Sequence, residues 1–179
     1  MILVTLGTIP FPFNRPLMWI DLLIERSIIT EPVFVQYGYS DPSILAHYPI
    51  VTLKPMIANT ELISLAKESH LVISHAGQGS TRMLAEMGVP FVLLPRLKVY
   101  KEHIDDHQLW FAKDVEHFDI HHCSTLESLE QMVLNPPPPV KQKLFDNPKL
   151  SHHLANIHPP QSQQTRDRNV HRRLVLKNK

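Results

Sequence analysis

Residues 71–96 read LVISHAGQGSTRMLAEMGVPFVLLPR, and the changes of period within them decide the fold. LVIS at 71–74 is a short, unbroken apolar run, and FVLL at 91–94 is another. Runs without strict alternation are what strands covered on both faces of a parallel sheet look like. Between them Gly77 and Gly79 punctuate the chain, and Met83, Leu84 and Met87 recur at helical spacing over 80–87. Strand, tight loop, helix and strand make one βαβ unit.

Working outward, ILVTL at 2–6, VFVQY at 33–37 and IVTL at 50–53 supply three more strands. Helices are expected over 16–29, 59–68, 80–87 and 103–114, with Pro16 suited to a first helical turn. Ser124 with Glu127 three residues on reads as a capping box opening a last helix through 134. Strands alternating with helices predict an α/β fold, a Rossmann-like, doubly wound, mostly parallel sheet with right-handed crossovers.

The chain has 179 residues, of which 43% are hydrophobic, enough for one domain with a real core. Four prolines at 136–139 stop the pattern and favour a stiff polyproline segment. They divide a folded domain, 1–135, from a Pro-rich hinge and basic, partly disordered tail, 136–179. A short helix near 141–145 is expected to pack back, with disorder after about residue 158. Residues 141–179 hold nine Lys or Arg and two acids, a net of +7. Residues 1–140 hold nine and fifteen, a net of −6. Such a tail can meet anionic lipid or nucleic acid, or simply stay solvated. No run approaches the ~20 apolar residues of a membrane span, and no signal peptide is recognisable. One cysteine, Cys123, makes no internal disulfide. These features predict a soluble, intracellular protein.

In such sheets ligands bind at the carboxyl ends of the strands. Only five glycines are present: Gly7 and Gly38 end strands, Gly77 and Gly79 follow the fourth, and Gly88 precedes the fifth. His75-Ala-Gly-Gln-Gly-Ser80 opens directly into a helix, whose free N–H groups and dipole suit phosphate oxygens, with Ser80 or Thr81 adding a hydroxyl. The plain alternative is a tight turn with a serine cap. The loop from Gly7-Thr8 to Arg15 lines the same edge, and Arg15 is either a phosphate partner or a surface charge. After the fifth strand come Arg96 and then Glu102-His-Ile-Asp-Asp-His-Gln108. Asp105, Asp106 and Gln108 there offer acceptors and donors to sugar hydroxyls. His103 and His107, four apart, raise a metal reading. No obvious third ligand lies elsewhere and the HExxH glutamate is missing, so no metal is expected.

Three segments in this order carry a resemblance. VTLGT (4–8) with Pro12-Phe13-Asn14-Arg15, VISHAGQGS (72–80), and GVPFVLLPR (88–96) followed by EHIDDHQ (102–108) resemble the C-terminal, donor-binding domain of glycosyltransferase family 28, one half of a GT-B fold. The likeness covers nearly all of residues 1–115 and is greatest to small stand-alone versions of the domain. Such versions serve the dolichol-linked N-acetylglucosamine transferase and bacterial exopolysaccharide glycosyltransferases. The resemblance implies inverting transfer of a hexose from a UDP-sugar to a lipid-linked glycan acceptor, without a cofactor. It puts the Gly7-Thr8 loop at the diphosphate, the His75 to Thr81 stretch around phosphate and ribose, and Asp106 and Gln108 near the sugar. Arg15 or Arg96 would share the phosphate charge. The acceptor and the general base would belong to a membrane-associated partner subunit, so the chain is expected in the cytoplasm, peripheral at the inner membrane face. No nucleic-acid partner is expected.

One departure stands out. Many relatives carry a glutamate eight residues after His75 to hold the ribose; here Met83 stands there and the nearest acid is Glu86. A thioether does not replace a carboxylate as acceptor. Two rivals follow: a catalytically idle UDP-binding subunit that activates or scaffolds another transferase, and a metal-dependent hydrolase using His103, Asp105 and His107.

Overall fold

The computed structural model describes residues 1–141, 143 and 144. The hinge-helix expectation at 141–145 falls partly outside the described residues, and the disorder expected after about residue 158 wholly outside them.

Five strands form one parallel sheet: β1 (Ile2–Thr5), β2 (Val33–Gln36), β3 (Val51–Lys54), β4 (Leu71–His75) and β5 (Phe91–Leu94). Their order is β3-β2-β1-β4-β5. The chain runs outward from β1 to one edge, then returns to β1's other side, so strand order reverses between β1 and β4. Beyond β5, residues 121–123 add a short parallel bridge through Leu93 and His122.

The helices are α1 (Asn14–Glu25), α2 (Asn59–Glu68), α3 (Gln78–Met87), α4 (His107–Asp114) and α5 (Leu126–Leu134). Strand side chains alternate between two cores, as a period of two requires. Ile2, Val4, Val33, Val35, Ile73 and Val92 meet Leu17, Ile20 and Leu23 of α1 and Leu129 and Val133 of α5. Leu3, Phe34, Val72 and Leu93 meet Ala66 of α2, Leu84 and Ala85 of α3, and Phe111 of α4. Val140 and Leu144, past the prolines, are buried in this second core. Among the described residues no helix is long and apolar enough to cross a membrane.

α1 and α3 each start two residues before their expected positions, at Asn14 and Gln78, and three further helix ends differ for local reasons. α1 stops at Glu25 because Ser27 turns left-handed (φ 57°) and the Ile28 N–H donates to the Leu23 carbonyl, a Schellman closure. The apolar pair Ile28-Ile29 had extended the periodicity past that stop. α4 begins at His107, not 103, because a short acidic side chain competes for the backbone: Asp105 accepts from the His107 N–H, and Asp106 turns back to accept from the Lys98 N–H of the preceding loop. The capping box of α5 lies one residue on, between Thr125 and Ser128.

Candidate functional site

The crevice at the β1–β4 reversal is where an open parallel sheet offers a ligand site. A cavity of about 190 Å³ opens there, lined by Thr5, Gly7, Thr8, Ile9, Gln36, Ile57, Leu62, His75 and Ser80. The structure thus brings Gly7, Thr8, His75 and Ser80 together as the sequence implied.

His75 organises this floor. Its Nδ1 lies 3.3 Å from the Thr5 carbonyl, which can only accept, so Nδ1 carries the proton and Nε2 is left as an acceptor. Burial, with a smaller push from the Arg96 charge and against the pull of the Thr5 carbonyl, lowers its pKa to about 4. The imidazole is therefore neutral at neutral pH. A Cβ on Gly77 would stand 2.4 Å from Nε2, and one on Gly7 2.8 Å. The two glycines are fixed by this ring, and Gly7 also holds φ +77°.

Gln36, unremarked in the sequence, clamps the Gly7 turn. Its Oε1 accepts from the Thr5 hydroxyl (2.9 Å) and the Gly7 N–H (3.2 Å), while its Nε2 donates to the carbonyls of Gly7 (3.0 Å) and Pro55 (2.9 Å). The only signal for it was a polar residue closing an apolar strand. Since the Gly7 amide is engaged, it is not a free phosphate donor. The Thr8 N–H has no partner among the described residues, and Thr8 is exposed.

α3 opens beside this turn. Gly77 is its N-cap with no side-chain cap, so the first N–H groups of the helix, from Gln78 onward, have no intrahelical partner. Thr81 is buried and its hydroxyl donates to the Gly77 carbonyl (2.9 Å), which removes it from ligand contact. Gly79 differs from the other glycines: a Cβ there meets nothing within 4 Å. Glycine in a helix costs about 1 kcal/mol relative to alanine, and nothing among the described residues requires it here.

Both arginines of the expected charge cradle are committed elsewhere. Arg96 is 1% exposed; its NH1 donates to the carbonyls of Phe11 (2.7 Å) and Glu102 (3.1 Å), and its NH2 to that of Leu6 (2.8 Å). Burial lowers its pKa to about 10, partly offset by Glu102, so it stays charged. Arg15 grips the Glu102 carboxylate through Nε (2.9 Å) and NH2 (2.8 Å), among Trp19, Phe13 and Tyr100. These ties join the loop after β1 to the loop after β5, and their partners lie too far along the chain to be read from it.

Asp106 and Gln108 are likewise anchored: Gln108 is buried and its Oε1 accepts from the Arg96 N–H (3.2 Å). Glu86 sits in the last turn of α3, exposed and paired with Arg82 at 2.9 Å. Its Cα lies roughly 12 Å along the helix axis from the free amides, so the structure does not bring it to the cavity. Met83 packs against the second core. A larger groove of about 580 Å³ lies between α1 and the loop after β5, lined by Met18, Trp19, Tyr100 and the mutually neutralised Arg15 and Glu102. It shares no lining residue with the cavity at the sheet's reversal point.

Comparison with known proteins agrees with this geometry. The profile of the glycosyltransferase family 28 C-terminal domain matches residues 1–157. No curated protein matches the chain. Among solved structures, MurG of Acinetobacter baumannii superposes with a TM-score of 0.58 at 17% identity, over 87% of this chain and 48% of that one. The glycosyltransferase SnogD of Streptomyces nogalater gives 0.52 at 18% identity, over 75% and 34%. ALG13 gives 0.53 at 18% identity, over 86% and 92%. The chain spans less than half of the first two and nearly all of ALG13. The fold is that of the GT-B glycosyltransferases, and the chain belongs to the family of glycosyltransferase family 28 C-terminal domains.

Proposed function

We propose that this chain is the donor-binding half of an inverting UDP-sugar hexosyltransferase, acting with a partner subunit on a lipid-linked acceptor at the inner membrane face. The observation that carries the reading is Gly79. A helix whose uncapped N–H groups open beside the switch-point cavity, with a glycine the fold does not need, suits a ligand that approaches the backbone closely. A diphosphate fits that description. As the leaving group departs, negative charge grows on its oxygens, and preorganised amides of the α3 start and Thr8 stabilise it without reorganising. His75, neutral, offers Nε2 as an acceptor at the same wall.

Arg15 and Arg96 serve this site by fixing the two loops around it, and Asp106 and Gln108 present their remaining polar atoms from that braced loop to the sugar. A partner is supported by size. A cavity of about 190 Å³ is below the ~300–1,000 Å³ that buries a small ligand, so another wall is needed. Val99 (78% exposed), Tyr100 (59%) and Ile104 (67%) stand out from the loop after β5 as apolar material for such a contact.

Calorimetric titration with UDP, then with UDP-glucose, UDP-galactose, UDP-glucuronic acid and UDP-N-acetylglucosamine, tests the reading. Saturable UDP binding with preference for one sugar is the expected result. Absence of UDP binding, both alone and with a co-purified partner, would overturn it. Binding of UDP with no transfer in any complex would favour the idle-scaffold alternative, which the loss of the ribose carboxylate at Met83 motivates.

A further inference from the structure

We propose a divalent metal site on the loop after β5, formed by His103, Asp105 and His107 and suited to zinc. One ligand atom from each of the three lies within 4.8 Å of the others. Both imidazoles turn Nδ1 toward the same carboxylate oxygen: His103 Nδ1 stands 3.2 Å from Asp105 Oδ1, and His107 Nδ1 contacts that atom too. A tetrahedral ion with ligands ~2.0–2.1 Å away holds them roughly 3.3 Å apart, close to the His103–Asp105 spacing; His107 Nδ1 stands nearer to Asp105 than that, and its half-exposed ring swings outward when the ion enters.

Hydrogen bonding alone leaves this arrangement incomplete. His103 Nδ1 is shut off from solvent and makes no hydrogen bond among the described residues, although Asp105 Oδ1 stands 3.2 Å away. A buried polar atom without a partner costs about 1–3 kcal/mol. Co-ligation of one cation satisfies that nitrogen and uses the convergence of all three groups. Two imidazoles and one carboxylate make a borderline donor set, which selects zinc, cobalt or nickel over magnesium or calcium. His103 is largely covered, against Phe11 of the loop after β1 at 5.6 Å, whereas Asp105 and His107 are half-exposed. The fourth position therefore faces outward, open to water or to an oxygen ligand. The ion clamps the junction of this loop with α4, where Asp106 and Gln108 stand, and it is separate from the amides assigned to the diphosphate.

The test is titration of the metal-stripped full chain with Co2+, followed by visible absorption. One equivalent giving a tetrahedral spectrum, displaced by Zn2+, is expected. Asp105→Asn and His107→Gln should each weaken binding by about tenfold or more, and His122→Gln should leave it unchanged. Both weakening substitutions are at half-exposed positions, and thermal melts check that the variants fold. A signal that never saturates, or that survives Asp105→Asn and His107→Gln, or that is lost in His122→Gln, overturns the proposal. UDP titration of the metal-free chain reads the donor site separately, so either assignment can fail without the other.

Discussion

Burial keeps the His75 imidazole neutral, and that has a consequence for stability. Its folded pKa of about 4 lies below the ordinary histidine value of 6.5. Above pH 6.5 both states are neutral there. As pH falls from 6.5 toward 4, the unfolded chain takes up a proton that the folded chain refuses, and stability drops. The loss should approach the order of 3 kcal/mol. Urea unfolding at pH 7 and pH 4.5 should show a smaller loss in His75→Gln than in the wild type; an equal loss would reassign the effect to another group. The histidine was legible as a site residue because it precedes two glycines at a strand end. Its grip on those glycines was not, since it depends on where the Thr5 carbonyl fixes the ring. Gln36 was missed for a similar reason: its four hydrogen bonds reach across two strands.

The elements themselves were read well wherever burial alone decides them. All five strands appear within a residue of their expected positions, and α2 matches its expected span (Asn59–Glu68). Errors fall at helix ends, where a local backbone bond outweighs periodicity. α1 stops at Glu25, with Ser27 just beyond it in the left-handed region (φ 57°), although Ile28 and Ile29 continue the apolar pattern. Glycine adopts that conformation without the steric penalty of a Cβ. Ser27→Gly should therefore raise stability by about 0.5–1 kcal/mol despite glycine's greater unfolded-state entropy. A lower denaturation midpoint in this variant would contradict the assigned cap. The late start of α4 has the same kind of cause, because Asp105 takes the His107 N–H that a helix starting at 103 would have used.

Across the whole molecule, two guanidinium groups lock the loops that frame the crevice. Arg15 and Glu102 are 87 residues apart in sequence, with side chains only 11% and 5% exposed. Removing one partner leaves a buried charge, so Glu102→Gln should destabilise the protein by about 3 kcal/mol, while the double variant Arg15→Met with Glu102→Leu recovers much of that loss. Equal destabilisation of single and double variants in urea unfolding would show that the pair is not the tie. Read from sequence, Arg15 was open between a phosphate partner and a surface charge, and Arg96 was a candidate to share the phosphate charge; only the folded chain shows their acceptors. What remains to meet a diphosphate is the backbone at the start of α3, and Gly79 isolates that role because its Cβ position is empty. The decisive measurement is the UDP affinity of Gly79→Ala beside its melting temperature. The account predicts a protein stabilised by about 0.5–1 kcal/mol that binds UDP at least about tenfold more weakly, a loss of about 1.4 kcal/mol. Unchanged UDP affinity in the stabilised variant would contradict the assignment of this helix start to the donor diphosphate.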